Sequence, residues 1–212
     1  MKRLTIYCLT RLIGVSPLFA QQGVTQCGTP TGQPKFPIET YQELPDPSSP
    51  SDKDWAAVTN PQISWGTIDT RYAKHRLPQL KKQQLTTLKG WRGERINAQA
   101  VVWTGTEVKD LNLSFTDFKD KKGNSLSDEA FKAGFIRYVM TDELNKDGRG
   151  ACGHRQAVDY DSLLVADPID TNLKSMSVPA RTVQPIWVQC WIPQSATPGT
   201  DQGELLINDG SR

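Results

Sequence analysis

Trp187, Gln189 and Trp191 occupy every second position of one segment. In a β-strand that spacing places the three side chains on the same face. Indole rings stack on the apolar face of a hexose, and an amide beside them can hydrogen-bond a hydroxyl group, so this row could bind a carbohydrate. The alternative is packing, within the domain or against another domain. We favour packing and predict a carbohydrate-binding or domain-docking face at these three residues.

The positions between them are also apolar: Ile186, Val188, Cys190 and Ile192. A strand that is apolar on both faces is buried on both, or presents one face to a partner. We therefore expect the second set to point into the core.

Trp91, Arg92, Glu94 and Arg95 form another dense aromatic and charged cluster. Catalysis there would need an acid and a partner group that face a cleft. In a strand, Arg92 and Glu94 share one face and Arg95 lies on the other. The spacing therefore favours a structural ion pair and domain docking over catalysis.

Metal chemistry has weak support in this sequence. Glu143 to Gly148 resembles the first half of a calcium loop, but the twelfth position is His154 instead of Glu. Cys152 and His154, with His75 far away, do not give the four ligands at recognisable spacing that structural zinc needs. We expect no catalytic residue, no metal and no cofactor.

The overall composition is that of a β-rich globular domain. The 212 residues include 25 Lys+Arg and 23 Asp+Glu, a net charge of +2, which gives no case for nucleic-acid binding. Residues 1–20 have the basic start, the apolar run and the small final residue, Ala20, of a signal peptide. A buried first strand or helix is the alternative. The run is too short, and too interrupted by Arg11, to span a membrane. We expect export to the periplasm, the cell surface or the medium.

Removal of residues 1–20 would leave Cys27, Cys152 and Cys190. Three cysteines cannot form a complete disulfide framework, although an oxidising compartment allows one bridge. For Cys190, which lies in an apolar segment, a buried thiol is the favoured interpretation. Which of the three pair is left open.

The chain divides into two parts after the leader. Residues 21–54 hold six of the fourteen prolines and show no hydrophobic period, which is typical of a linker or extended arm. Residues 55–212 carry short alternating runs with turn signals between them, and they predict an all-β, antiparallel β-sandwich of the immunoglobulin-like kind. The predicted strand regions are 63–72, 96–102, 111–115, 135–141, 163–166, 186–192 and 205–207. Ser127 is expected to cap a single helical turn.

Six segments, in order, resemble the N-terminal domain of glycoside hydrolase family 123-like proteins. The resemblance covers residues 55–208. The segments are Ser64–Tyr72, Trp91–Trp103, Arg137–Glu143, Cys152–Arg155, Val165–Asp167 and Gln184–Val188.

The resemblance implies a β-sandwich that precedes a (β/α)₈-type catalytic barrel. Family members with known activity are exported β-N-acetylgalactosaminidases. In them the substrate's acetamido group attacks the anomeric carbon, assisted by an adjacent Asp–Glu pair of the barrel. This sequence stops at Arg212, and we expect the chain to be interrupted before the barrel. The doublets Asp128–Glu129 and Asp142–Glu143 do not match the context of the barrel motif, so no catalytic residue is transferred.

We therefore predict the non-catalytic N-terminal module of an exported glycoside hydrolase that acts on β-linked N-acetylgalactosamine. Its partner would be the catalytic barrel. The alternative is a free-standing periplasmic or surface carbohydrate-binding protein, which needs a groove lined by exposed aromatic rings. A hydrolase in its own right is least favoured. The sequence leaves open the glycan, its linkage and the oligomeric state.

Overall fold

The computed structural model describes residues 2–10, 43, 50–141 and 163–210. These residues form ten strands, one single-turn α-helix and a 3₁₀ turn at Asp128–Ala130. In chain order the elements are β1 (Lys2–Thr10), α1 (Asp52–Trp55), β2 (Gln62–Gly66), β3 (Leu85–Gly90), β4 (Arg95–Thr104), β5 (Val108–Phe115), β6 (Phe131–Thr141), β7 (Leu163–Asp170), β8 (Ser175–Val178), β9 (Thr182–Trp191) and β10 (Thr200–Asn208).

The strands form two five-stranded sheets. Sheet A has the order β3-β1-β10-β5-β8, and sheet B has the order β2-β4-β9-β6-β7. Every strand pair is antiparallel except β1 with β3. The predicted all-β, antiparallel sandwich is confirmed. The finer immunoglobulin-like assignment is not confirmed by this architecture.

The main core lies between the two sheets. In β4 the inward positions are Ile96, Ala98, Ala100 and Val102, and they face the core as their alternation predicts. The register aligns Ile96 with Cys190, which is 1% exposed and therefore buried as expected. Sheet A contributes side chains such as Leu111 and Leu205 from the other side. Apolar area removed from water between the layers is the main force that holds them together.

Three features of the fold differ from the sequence-based expectation or refine it. The predicted strand over 63–72 is shorter, because β2 ends at Gly66 and the chain turns, with Thr70 N–H donating to Thr67 O over 3.4 Å. The short strands β3 and β8 were not predicted at all. The expected turn after Ser127 is present, and the Ser127 hydroxyl accepts a 3.4 Å hydrogen bond from Glu129 N–H.

Strand β1 comes from the segment that resembles a signal peptide. Its residues pair with β10 on one side, from Lys2 with Ile207 to Leu9 with Thr200, and with β3 on the other. The uncleaved chain therefore forms the first strand that the sequence left open as an alternative. Cleavage after Ala20 and export both stay predictions.

Candidate functional site

Other segments of the chain pack over one end of the outer face of sheet B, whereas no described element lies over the other end. At the covered end, Val101, Trp103 and Val183 lie beneath the segments that carry Trp55 and Tyr72. Trp55 is 3% exposed, and its indole N–H donates to His75 O over 3.0 Å. This second, smaller core explains why these outward-facing positions are apolar, since water never reaches them.

The other end of the same face is open, and we call its residues the open face. Cross-strand pairing brings them together: Arg95 of β4 is opposite Trp191 of β9, and Gln189 is opposite both Asn97 and Lys132 of β6. The open face consists of Arg95, Asn97, Lys132, Trp187, Gln189 and Trp191. The three residues singled out from the sequence thus lie on one face, and strands β4 and β6 add three more that spacing alone did not reveal.

Asn97 organises the centre of the open face. Its side-chain oxygen accepts hydrogen bonds from Trp187 Nε1 over 3.2 Å and from Gln189 Nε2 over 3.5 Å. Trp187 is half-buried, and it also packs against the apolar cluster around Tyr138 and Leu164. Asn97 Oδ1 therefore links the Trp187 and Gln189 side chains at the centre of the open face.

Trp191 differs from Trp187 because its side chain stands out into water. It is 53% exposed, the highest value among the large apolar residues in the part of the chain that the structure describes. The Arg95 guanidinium carbon lies 4.6 Å from the centroid of its ring. Arg95 thus makes a cation–π contact with the indole and holds its orientation.

An open depression of about 650 Å³ lies beside Trp191. Its lining combines the Trp191 indole with polar residues of both charges. Those polar residues are Ser127, Glu129, Lys132 and Gln194. An aromatic wall with carboxylate, amide and hydroxyl groups around it can stack on a pyranose ring and hydrogen-bond its hydroxyls.

The cluster at 91–95 forms a tight turn between β3 and β4. Glu94 N–H donates to Trp91 O over 3.0 Å, and Trp91 N–H donates to the Glu94 carboxylate over 2.7 Å. Gly93 has φ +81°, a backbone region that favours glycine. The prediction of an ion pair between Arg92 and Glu94 is wrong, because the Glu94 carboxylate instead accepts a hydrogen bond from Trp91 N–H within the turn.

A charged cluster at the covered end was not predicted from the sequence. The Glu43 carboxylate accepts hydrogen bonds from Lys74 Nζ over 2.8 Å, from Arg137 Nε over 3.0 Å and from Tyr138 N–H over 3.3 Å. Arg137 also pairs with Asp170 over 3.4 Å. Burial alone would raise the pKa of Glu43, but the hydrogen bonds from Lys74 and Arg137 outweigh it and hold that pKa below its usual range.

Several sequence candidates lie outside the described residues, among them Asp142, Glu143, Cys152, His154 and Cys27. Of the metal candidates, His75 is described, and its Nδ1 lies 2.9 Å from Arg181 O. Within the described ranges no group of three or more His, Cys, Asp or Glu residues could hold a metal ion. Across those same ranges, no helix has the length and apolar character needed to cross a membrane.

The fold and the open face together define a β-sandwich module with an outward-facing aromatic and polar surface. The family model of the glycoside hydrolase 123 N-terminal domain matches residues 65–209, and the chain belongs to that family. This confirms the resemblance found in the sequence. No curated protein sequence matches the chain.

Among solved structures, the fold is similar to that of a family 123 glycoside hydrolase from Clostridium perfringens, determined in work on glycolipid glycan hydrolysis. The TM-score is 0.57 and the sequence identity 22%. The match covers 71% of this chain and 24% of that chain. At this identity the likeness concerns the fold alone.

Proposed function

We propose that this chain is the non-catalytic N-terminal module of an exported glycoside hydrolase that acts on β-linked N-acetylgalactosamine. We further propose that Trp187, Gln189 and Trp191 form its docking face for the catalytic barrel. Membership of the glycoside hydrolase 123 N-terminal domain family supports the first part. The observation that carries the second is the open face, an aromatic surface that no described element of this chain covers.

The chemistry of the open face suits contact with another domain. Asn97 Oδ1 already accepts from Trp187 Nε1 and Gln189 Nε2, so a partner domain need not supply an acceptor for these two donors. Trp191, at the margin, offers a large apolar area held in place by Arg95. Interfaces between domains of one chain are more polar than permanent ones, so a face that mixes tryptophan rings with amide and charged groups suits such a contact.

The first test is the intact mass of the native polypeptide, from cells that carry the undisturbed locus. The proposal predicts a mass well above 23.6 kDa, because the barrel continues the chain. Hydroxyl-radical footprinting should then show slower oxidation of Trp191 in the native protein than in this chain. Trp91, which is 44% exposed and lies outside the open face, serves as the control. A mass slightly below 23.6 kDa would contradict the proposal.

The depression beside Trp191 favours a second candidate, a free-standing carbohydrate-binding protein. In that case the chain alone binds glycans ending in N-acetylgalactosamine, and Trp191→Ala abolishes the binding while Trp91→Ala leaves it intact. Flat calorimetric titrations of the unaltered chain would exclude this candidate. Under both candidates the chain alone releases no chromophore from an aryl β-N-acetylgalactosaminide.

A further inference from the structure

The groups around Glu43 form the kind of site that recognises a carboxylate. Lys74 and Arg137 approach its two oxygens separately, Lys74 at Oε2 and Arg137 at Oε1, and Tyr138 N–H also points at Oε1. Two cationic donors and one backbone donor converge on this single carboxylate, and hydrogen bonds to an ionised group are stronger than those between neutral groups. Arg137 is in turn held by Asp170, whose other oxygen accepts from Asn172 N–H over 3.0 Å.

Because this cluster is largely buried, its cationic side chains require a negatively charged partner. The side chains of Glu43, Lys74 and Arg137 are each 16% exposed, and that of Asp170 is 6% exposed. Within the described part of the chain, Arg137 has a second carboxylate in Asp170, whereas Lys74 pairs with Glu43. Loss of the Glu43 carboxylate therefore leaves a largely buried ammonium group without that counter-charge, which is costly.

Glu43 comes from the region that the sequence marks as an arm. It lies 31 residues before Lys74 and 94 before Arg137, so the contact ties distant parts of the chain together. A second attachment follows at Trp55, which is buried at the same covered end. Asp52, just before it, pairs with Arg181.

We propose that Lys74, Arg137 and Tyr138 N–H form a carboxylate-binding pocket whose built-in ligand is Glu43. The contact acts as a latch that fastens the chain at Glu43 to Lys74 and to strand β6. The pocket recognises the carboxylate group itself, so a small monocarboxylate such as acetate occupies it when the side chain of residue 43 is shortened. This inference does not depend on the proposed function.

The test uses the full chain with Glu43→Ala. Its melting temperature should fall by roughly 5 °C or more, because a buried charge pair is broken. Sodium acetate should restore at least half of that loss, and sodium chloride at equal ionic strength should not. Glu107→Ala, at an exposed position, is the matched control and should respond to neither salt.

Hydrogen exchange separates the pocket from the latch. The peptide over residues 40–50 should exchange faster in Glu43→Ala than in the unaltered chain. Acetate should leave that exchange fast, because it fills the pocket without reattaching the arm. Adding Lys74→Met to Glu43→Ala should abolish the rescue by acetate.

If acetate and chloride restore the melting temperature of Glu43→Ala equally, the proposal of a carboxylate-binding pocket is wrong. If Glu43→Ala leaves the hydrogen exchange of residues 40–50 unchanged, the proposal of a latch is wrong. If Glu43→Ala does not fold, Glu43→Gln keeps the shape and removes the charge. Its exchange over residues 40–50 then decides: fast exchange supports the latch, and exchange as slow as in the unaltered chain overturns it.

Discussion

The two ends of the outer face of sheet B are built on the same strands and yet meet different surroundings. At the covered end, Trp55 and Tyr72 lie over Val101 and Val183, and water is excluded. At the open end the same strands carry Arg95, Asn97, Gln189 and Trp191, and no described element lies over them. Outward-facing apolar residues are thus buried where another segment of the chain lies over them, whereas Trp191, beside amide and charged groups, is available for contact with a partner.

Glycine takes part in this contrast. Gly105 follows β4 at the covered end, and a Cβ atom there would collide with Val58 O of the overlying segment. The cover approaches the sheet closely enough to require glycine. The comparison therefore separates a surface used for stability from one available for binding.

The largest expected effect comes from removing the cover. Trp55→Ala deletes a buried indole and its hydrogen bond to His75 O, and should lower the free energy of unfolding by about 3–5 kcal/mol. Urea unfolding followed by circular dichroism measures the loss. Trp91→Ala, at an exposed position, should change the same quantity by no more than about 0.5 kcal/mol. Similar losses for the two variants would break the distinction between covered and exposed positions.

A second prediction concerns pH and Glu43 at the covered end. Its folded pKa lies below the ordinary value of 4.5. The ionised carboxylate therefore contributes stability at every pH above that value, and the contribution is lost as the pH falls from about 4.5 through the folded pKa. As the pH is lowered from 7 to 3, the melting temperature of the unaltered chain should fall more steeply than that of Glu43→Gln. Parallel curves would contradict this assignment.

The smallest expected effect tests the open face itself. Asn97→Ala removes the acceptor for Trp187 Nε1 and Gln189 Nε2 and should cost about 1 kcal/mol, because Trp187 is only half-buried and water replaces part of the loss. Urea unfolding measures it against Asn60→Ala, an exposed control with only local hydrogen bonds. If the two asparagine variants unfold alike, Asn97 does not organise the open face.

Sequence patterns predicted the parts of the fold that depend on alternation. Ile96, Ala98 and Ala100 alternate with other residues in β4, and a period of two has one structural meaning in a half-buried strand. Strand β3 escaped prediction because it lies at a sheet edge and its pairing with β1 is not encoded in local hydrophobicity. Strand β8 is only four residues long, and its partner β5 is more than sixty residues away in sequence.

The candidate site was predictable only within one strand. The spacing of Trp187, Gln189 and Trp191 placed them on one face, but the contribution of Asn97 and Arg95 depends on cross-strand register, which the sequence does not state. Glu43 was missed for a related reason. Its partners Lys74 and Arg137 are distant in sequence. The prolines around Glu43 indicated a linker, so the local sequence did not predict a buried ion pair.

Strand β1 lies inside sheet A, so its removal would change the assembly of that sheet. In the uncleaved chain it supplies the hydrogen-bonding partners of β10 on one side and β3 on the other. Proteolysis after Ala20 would remove it and leave two strands about 10 Å apart, twice the normal spacing, with their facing amides and carbonyls unpaired. A chain shortened in this way would need either direct pairing of β3 with β10 or a replacement strand between them, so cleavage would also change which backbone completes the sheet.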